Sequence, residues 1–316
     1  DQWCWGQNIF YAPFGLTNWS DVCSDLRLTK DKEVVFDCVS DGYREAITYY
    51  HDWYADGLID IEVFSQDDKQ YLAKCAQGYV GVATWWEINE LMADHAADYV
   101  YLPPLKGPDG TCTVTIKSAG SAVNSGMLSI TKACESPANL LKFYDQWYTG
   151  ENVMQLQYGP IGVYFNEEKD AQGMYVSITD EEAREKFGKS AGELKAASEV
   201  QGPKLILSEY YTNIFHMEDS ALQRLDDMQH FWFKYVDDFT FYPVDCVFTQ
   251  SELDDLDLYR PDFENHVKEQ EALWFRDGGP SDAEWEAYKQ DLIDTYGMNQ
   301  ILEVYKNAYD RYAAAE

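Results

Sequence analysis

The sequence predicts an α/β fold with a helix-rich C-terminal part. Strand-like and helix-like stretches alternate through residues 1–150, the order that builds layers of both kinds. From residue 170 to the end nearly every stretch is helical by period, with three capping boxes.

The elements follow in order. Residues 1–40 mix aromatics with turn residues and read as loop plus short strands, with a strand at Lys32–Cys38. Tyr43, Ala46, Ile47, Tyr50, Trp53 and Tyr54 recur at three- and four-residue steps, which predicts a helix from Asp41 to Asp56 with Gly57 as its C-cap. A second helix runs from Asp67 to Gln77, before Gly78. Tyr79–Thr84 reads as a buried strand, followed directly by Trp85, Trp86 and Glu87. A short helix is expected at Glu90–Ala97 and a strand at Asp98–Leu102, stopped by Pro103-Pro104. Lys106–Gly110 is a turn by composition. Two more strands are expected at Thr111–Ile116 and Met127–Ile130. Ser136-Pro137 opens a helix to Tyr148 that Gly150 ends, and Tyr158–Gly162 turns the chain. Thr179-Asp-Glu-Glu182 caps a charged helix, and residues 189–202 read as a polar, mobile connector. Ser208–Val236 is helical by period, and Phe239–Val247 is an aromatic loop. Thr249-Gln-Ser-Glu252 and Ser281-Asp-Ala-Glu284 cap two further helices, and the last helix spans Met298–Ala314.

Composition narrows the function. Hydrophobic residues are 46% and charged residues 25% of the 316, an ordinary globular balance. The net charge of -32 repels phosphate backbones and anionic headgroups, which argues against nucleic acid as a partner. Aromatics reach 16%, and Trp and Tyr stack on sugar faces while their polar tips hydrogen-bond. The seven cysteines are widely spaced with no CxxC pair, so zinc knuckles and thioredoxin-type motifs are excluded, while disulfide pairing stays open. No window of about 18 apolar residues is present. The chain starts at Asp1 without a signal peptide, as expected if processing or trimming removed the natural start.

Tyr54-Ala-Asp-Gly-Leu-Ile-Asp60 with Glu62 and Phe64 resembles a passage of extracellular solute-binding proteins for carbohydrates, of the LipO-like and aldouronate type. Gly78-Tyr-Val-Gly81 with Trp85-Trp86 is similar to a segment shared with maltose-binding protein. Leu102–Gly110, Ile130-Thr-Lys132 with Asp145–Tyr148, and Ala308–Tyr312 resemble further stretches in the same order. The resemblance implies a periplasmic-binding-protein-like, two-lobed fold of type II, with the first lobe incomplete. Residues 1–103 would open the C-terminal lobe, 104–165 would return to the N-terminal lobe through the hinge crossings, and 166–316 would be mainly C-terminal lobe. It also implies the substrate-binding component of an ABC importer, which captures an oligosaccharide and delivers it to permease subunits. Such proteins are extracellular, cell-surface lipoproteins of Gram-positive bacteria, held to the membrane by a lipid anchor that this chain does not contain.

Candidate ligand-binding residues are Trp85, Trp86 and Glu87, just after a predicted strand end where α/β sheets seat ligands, with Trp5, Tyr11 and Tyr242 on aromatic loops. Packing is the competing reading for each ring, and a solvated helix start for Glu87. No cofactor or metal is expected: the five histidines form no HExxH, Asp254, Asp255 and Asp257 lack EF-hand spacing, and no GxSxG or P-loop is present. No catalytic residue is assigned, because any acid pair arises by chance among 56 acidic residues. The alternatives are a secreted glycan-active enzyme and a surface adhesion or scaffold module.

Overall fold

A computed structural model describes residues 10–16, 26–29, 31–85, 88–112, 128–200, 202–216, 219–235, 242–243 and 246–315. The chain divides into two compact units, residues 1–123 with 227–316, and residues 124–226. In the first unit lie β1 (Leu26–Leu28), β2 (Val34–Phe36), α1 (Asp41–Ala55), α2 (Asp68–Cys75) and α3 (Ile88–Met92). The second carries α4 (Pro137–Asp145), α5 (Gly150–Tyr158), α6 (Asp180–Phe187), α7 (Ala191–Ser198) and α8 (Tyr210–Asn213). Helix α9 (Asp219–Asp227) ends at the crossing back. The first unit is completed by α10 (Gln250–Asp277), α11 (Asp282–Asp294) and α12 (Met298–Ala313).

The core of the first unit is built from periodic faces. β1 and β2 pair antiparallel with Leu26 opposite Phe36, and their alternation sends Leu26, Leu28, Val34 and Phe36 inward. Ser40 caps α1 by accepting from the Tyr43 amide at 3.2 Å, and Tyr43, Ala46, Ile47 and Tyr50 then fall on one buried stripe. That stripe meets Phe263, Val267 and Phe275 of α10, and α12 adds Ile301, Val304 and Tyr305. Two acids are buried here. Asp37 is ion-paired with Arg27, and Glu271 accepts from the Tyr43 hydroxyl at 2.9 Å. The second unit has its own core of Val153, Met154, Tyr164, Phe165, Tyr175 and Phe215.

In the second unit, residues 166–226 stay with 124–165. Single bridges join Phe165 to Ser177 and Tyr175 to Phe215, and the Tyr175 amide donates to the Ile214 carbonyl at 2.8 Å. These contacts hold the later residues to the same core.

The strands at Tyr79–Thr84 and Asp98–Leu102 do not form. Among the described residues β1 and β2 make the one sheet, and Tyr79 and Val100 are 86% and 80% exposed. Propensity measures fit to a pleated surface, and among the described residues these segments have no neighbouring strand to pair with. The described ends of the other two expected strands, residues 111–112 and 128–130, are likewise irregular. Gly150 opens α5 instead of ending α4, which stops at Asp145. The expected connector at 189–202 contains α7, because Ser190 and Glu193 form a full capping box. The Ser208–Val236 helix is broken into α8, α9 and a π turn at Met228–Trp232. All three capping boxes read from the sequence are made. Cys38, Cys75, Cys112, Cys134 and Cys246 are not joined in disulfides, and Cys4 and Cys23 lie outside the described residues.

Candidate functional site

Trp85 ends an irregular strap, residues 79–85, that crosses α2 in the first unit. The strap is fixed at both ends by tyrosines. The Tyr71 hydroxyl donates to the Thr84 carbonyl at 3.1 Å and accepts from the Thr84 amide at 2.8 Å. The Tyr99 hydroxyl donates to the Val80 carbonyl. Burial pushes the Tyr71 phenol above its usual pKa, so it stays neutral and keeps both roles. At the other end Gly78 takes a left-handed turn, φ 71°, and a Cβ there would press on the His95 ring at 3.1 Å.

The Trp85 indole is half-buried and packs over a small cluster of Cys75, Leu91 and Met92, with Tyr71 6.1 Å away between ring centroids. A ring fixed this way presents a preorganised apolar face at low entropic cost. Tyr79 stands on the same strap with almost its whole side chain in solvent. Sequence reasoning missed it, because the strand expectation placed it inside; Gly78 as a helix C-cap is the signal that the chain turns outward there.

The other expected site residues fare differently. Tyr11 is 1% exposed and stacks on Tyr43 at 5.2 Å, 8° from parallel. Tyr242 is 3% exposed, and its hydroxyl donates to the Tyr305 carbonyl at 2.8 Å. Both are core residues whose faces are already used by other rings, which corrects their expected place on ligand-lining loops. Trp86, Glu87 and Trp5 lie outside the described residues.

The second unit carries a charged groove of about 740 Å³ lined by Glu167, Glu168, Lys169, Asp170 and Glu182, among others. Asp170 is held below the usual carboxylate range, first by the Met174 amide and also by His216. Capping interactions depress Glu182 in the same way. The carboxyls of Asp60, Asp109, Glu193, Glu252, Asp277 and Glu284 are lowered as well, each by hydrogen bonds or a neighbouring cation. No helix among the described residues is long and apolar enough to cross a membrane.

No protein-family model matches the chain. It is similar to the fructooligosaccharide ABC transporter substrate-binding protein FusA of Streptococcus pneumoniae serotype 4, at 28% identity over 310 residues. The match takes in 97% of this chain but 55% of FusA, so the chain spans about half the length of that relative. Among solved structures, FusA in complex with kestose aligns with a TM-score of 0.80 at 26% identity, over 98% of this chain and 61% of that one. An EF-hand mutant of FusA with fructo-nystose gives 0.79 at the same identity and coverage. A solute-binding protein from Bifidobacterium longum infantis, described as binding HMO, aligns at 0.75 with 17% identity, over 97% of this chain and 61% of that one. The fold is therefore the two-lobed α/β fold of solute-binding proteins, and the chain is similar in sequence to one that serves an ABC transporter of sugars.

Proposed function

We propose that this chain captures a neutral oligosaccharide outside the cell, as the substrate-binding component of an ABC importer, and delivers it to permease subunits without chemical change. One observation carries the reading: nearly the whole chain aligns, in sequence and in fold, with a fructooligosaccharide-binding protein seen in complex with kestose. In this reading the discontinuous unit is the C-terminal lobe and the inserted unit belongs to the N-terminal lobe. Attachment to the cell surface through a lipid anchor belongs to the same proposal.

The sugar rings stack on Trp85 and Tyr79, and Trp86, Glu87 and Trp5 complete the site. Trp85 supports this by its fixed, half-buried ring, and Tyr79 by its exposure on the same strap. Binding draws the protein toward its liganded conformation by differential affinity, which needs no covalent step.

Titration of tryptophan fluorescence with kestose tests the proposal. A saturable change is expected, with intact kestose recovered afterwards, and Trp85→Ala is expected to weaken binding about tenfold through loss of a stacking face. Recovery of cleaved sugar would replace the reading with a glycan-active enzyme, and a flat titration would remove kestose-type sugars as ligands.

A further inference from the structure

His266 stands at the corner where α10 meets the end of α11 and the turn into α12. Its imidazole lies face to face with the Tyr296 ring, 4.0 Å between centroids and 14° from parallel, and Tyr288 flanks it at 6.1 Å and 25°. Only 12% of the side chain is exposed. A ring seated against two phenols in this way packs as an aromatic. That role belongs to the neutral imidazole, because a charge at a buried site loses its hydration.

Two acids act on the ring. Asp291 of α11 sets its Oδ2 3.6 Å from the His266 Nε2, too far for a hydrogen bond. Glu269 acts from one turn along the same helix. The first turn of α12, Met298-Asn299-Gln300, brings no charge. Burial holds the imidazole below the usual histidine range, against the pull of Asp291 and Glu269.

The surroundings of the ring make its proton matter. The Asp291 carboxylate accepts from the Thr295 hydroxyl at 2.6 Å, and its carbonyl accepts from the Thr295 amide at 2.8 Å, so Asp291 holds the turn that places Tyr296. Gly297 follows at φ 66°, where a Cβ would come within 2.5 Å of the Tyr259 ring of α10. Gly297 is also the N-cap of α12 and makes no side-chain cap bond, so that helix start rests on the packing of the corner. A protonated His266 gains by turning its ring to water, or by drawing Asp291 in from 3.6 Å to a charge-assisted bond of about 2.8 Å. Both movements disturb the contacts that seat Tyr296.

The geometry points to His266 as a pH-operated latch: neutral, it locks the corner between α11 and α12, and protonated, it releases that corner while the rest of the first unit stays folded. The latch does not depend on what the chain binds. Because the closed corner disfavours the charged ring, the latch is fully engaged above the ordinary histidine value of 6.5 and loosens as pH falls below it.

Hydrogen exchange of the full chain between about pH 7.5 and pH 5, corrected for intrinsic rates and read by mass spectrometry, tests the latch. Nuclear magnetic resonance of the imidazoles runs alongside, and loss of a line in His266→Phe assigns His266. That line is expected to titrate with a midpoint below 6.5. Protection of peptides covering residues 291–304 is expected to fall as pH drops below 6.5, by at most about tenfold per pH unit for one proton, while peptides of α1 keep theirs. His266→Phe keeps a flat ring against Tyr296 and is expected to abolish the fall. Asp291→Asn, at a position 46% exposed, removes a group that favours the charge and is expected to deepen it. A midpoint at or above 6.5, a fall that survives in His266→Phe, or a smaller fall in Asp291→Asn than in the unchanged chain overturns the latch. A fall that α1 shares in step also overturns it, as acid unfolding of the whole unit.

Discussion

Tyr71 holds the peptide of Thr84 from both sides, and that one hydroxyl fixes where Trp85 stands. Tyr71→Phe is expected to lower stability by about 1–2 kcal/mol, the cost of lost hydrogen bonds at a half-buried site, and to shift tryptophan emission to the red as the strap loosens. Tyr79→Ala, a few residues away, is expected to leave the denaturant midpoint unchanged because the side chain is in solvent, while weakening kestose binding. A variant pair that loses stability at Tyr79 and not at Tyr71 would contradict this division. Tyr43→Phe is a third case: it withdraws a donor from the buried Glu271 carboxylate and is expected to cost about 1–3 kcal/mol in chemical denaturation. Trp85 was expected at the end of a buried strand, and it stands instead at the end of an irregular strap. The roles of Tyr71, Tyr11 and Tyr242 were not legible in the sequence, because a tyrosine's role depends on what its hydroxyl reaches, and here that partner lies 13 residues away for Tyr71 and 63 for Tyr242.

Capping boxes begin α2, α6, α7, α10 and α11, so the same short-range rule sets five of the twelve helix starts described. At α10, Thr249→Ala is expected to destabilise by about 1 kcal/mol, read as a shift of the thermal midpoint. The glutamates of four boxes also titrate low. Arg311 depresses Glu252, the cap amides of Thr179 and Ser190 depress Glu182 and Glu193, and the Ser281 hydroxyl depresses Glu284. Their folded pKa values lie under the ordinary 4.5, so their contribution is complete above that value and is lost as pH falls through the lower folded ones. Replacing all four with Gln is expected to flatten the fall in denaturant midpoint below about pH 4.5 relative to the unchanged chain. A parallel fall in both would remove the caps as its cause. Helices were legible because period and caps are local signals. α7 escaped because the polar composition of residues 189–202 made the stretch read as connector. The strand at Lys32–Cys38 was legible and holds β2, but those read at Tyr79–Thr84 and Asp98–Leu102 do not form, since a ladder requires a partner that they do not find among the described residues.

At the scale of the molecule, 56 acidic residues against 24 basic ones make the folded state repel itself. Added sodium chloride is expected to raise the thermal midpoint at neutral pH as screening shortens the reach of that repulsion, with most of the gain by about 0.15 M, where the Debye length is about 8 Å. A midpoint that falls with salt would mean that ion pairs such as Arg311 with Glu252 outweigh the net charge. The interruption of the first unit by the second was expected as a return of the chain near residue 104, and the contacts that hold residues 166–226 to the second unit join positions far apart in sequence, which local signals do not carry. That same interruption sets a timetable for synthesis. The inserted unit is complete once residue 226 leaves the ribosome, but the Tyr43–Glu271 bond joins residues 228 apart, so α1 must wait for α10. The nascent chain therefore carries an early half-core, with Ile47 and Tyr50 uncovered, until α10 has been made, and that is the interval in which a holdase chaperone has most to protect.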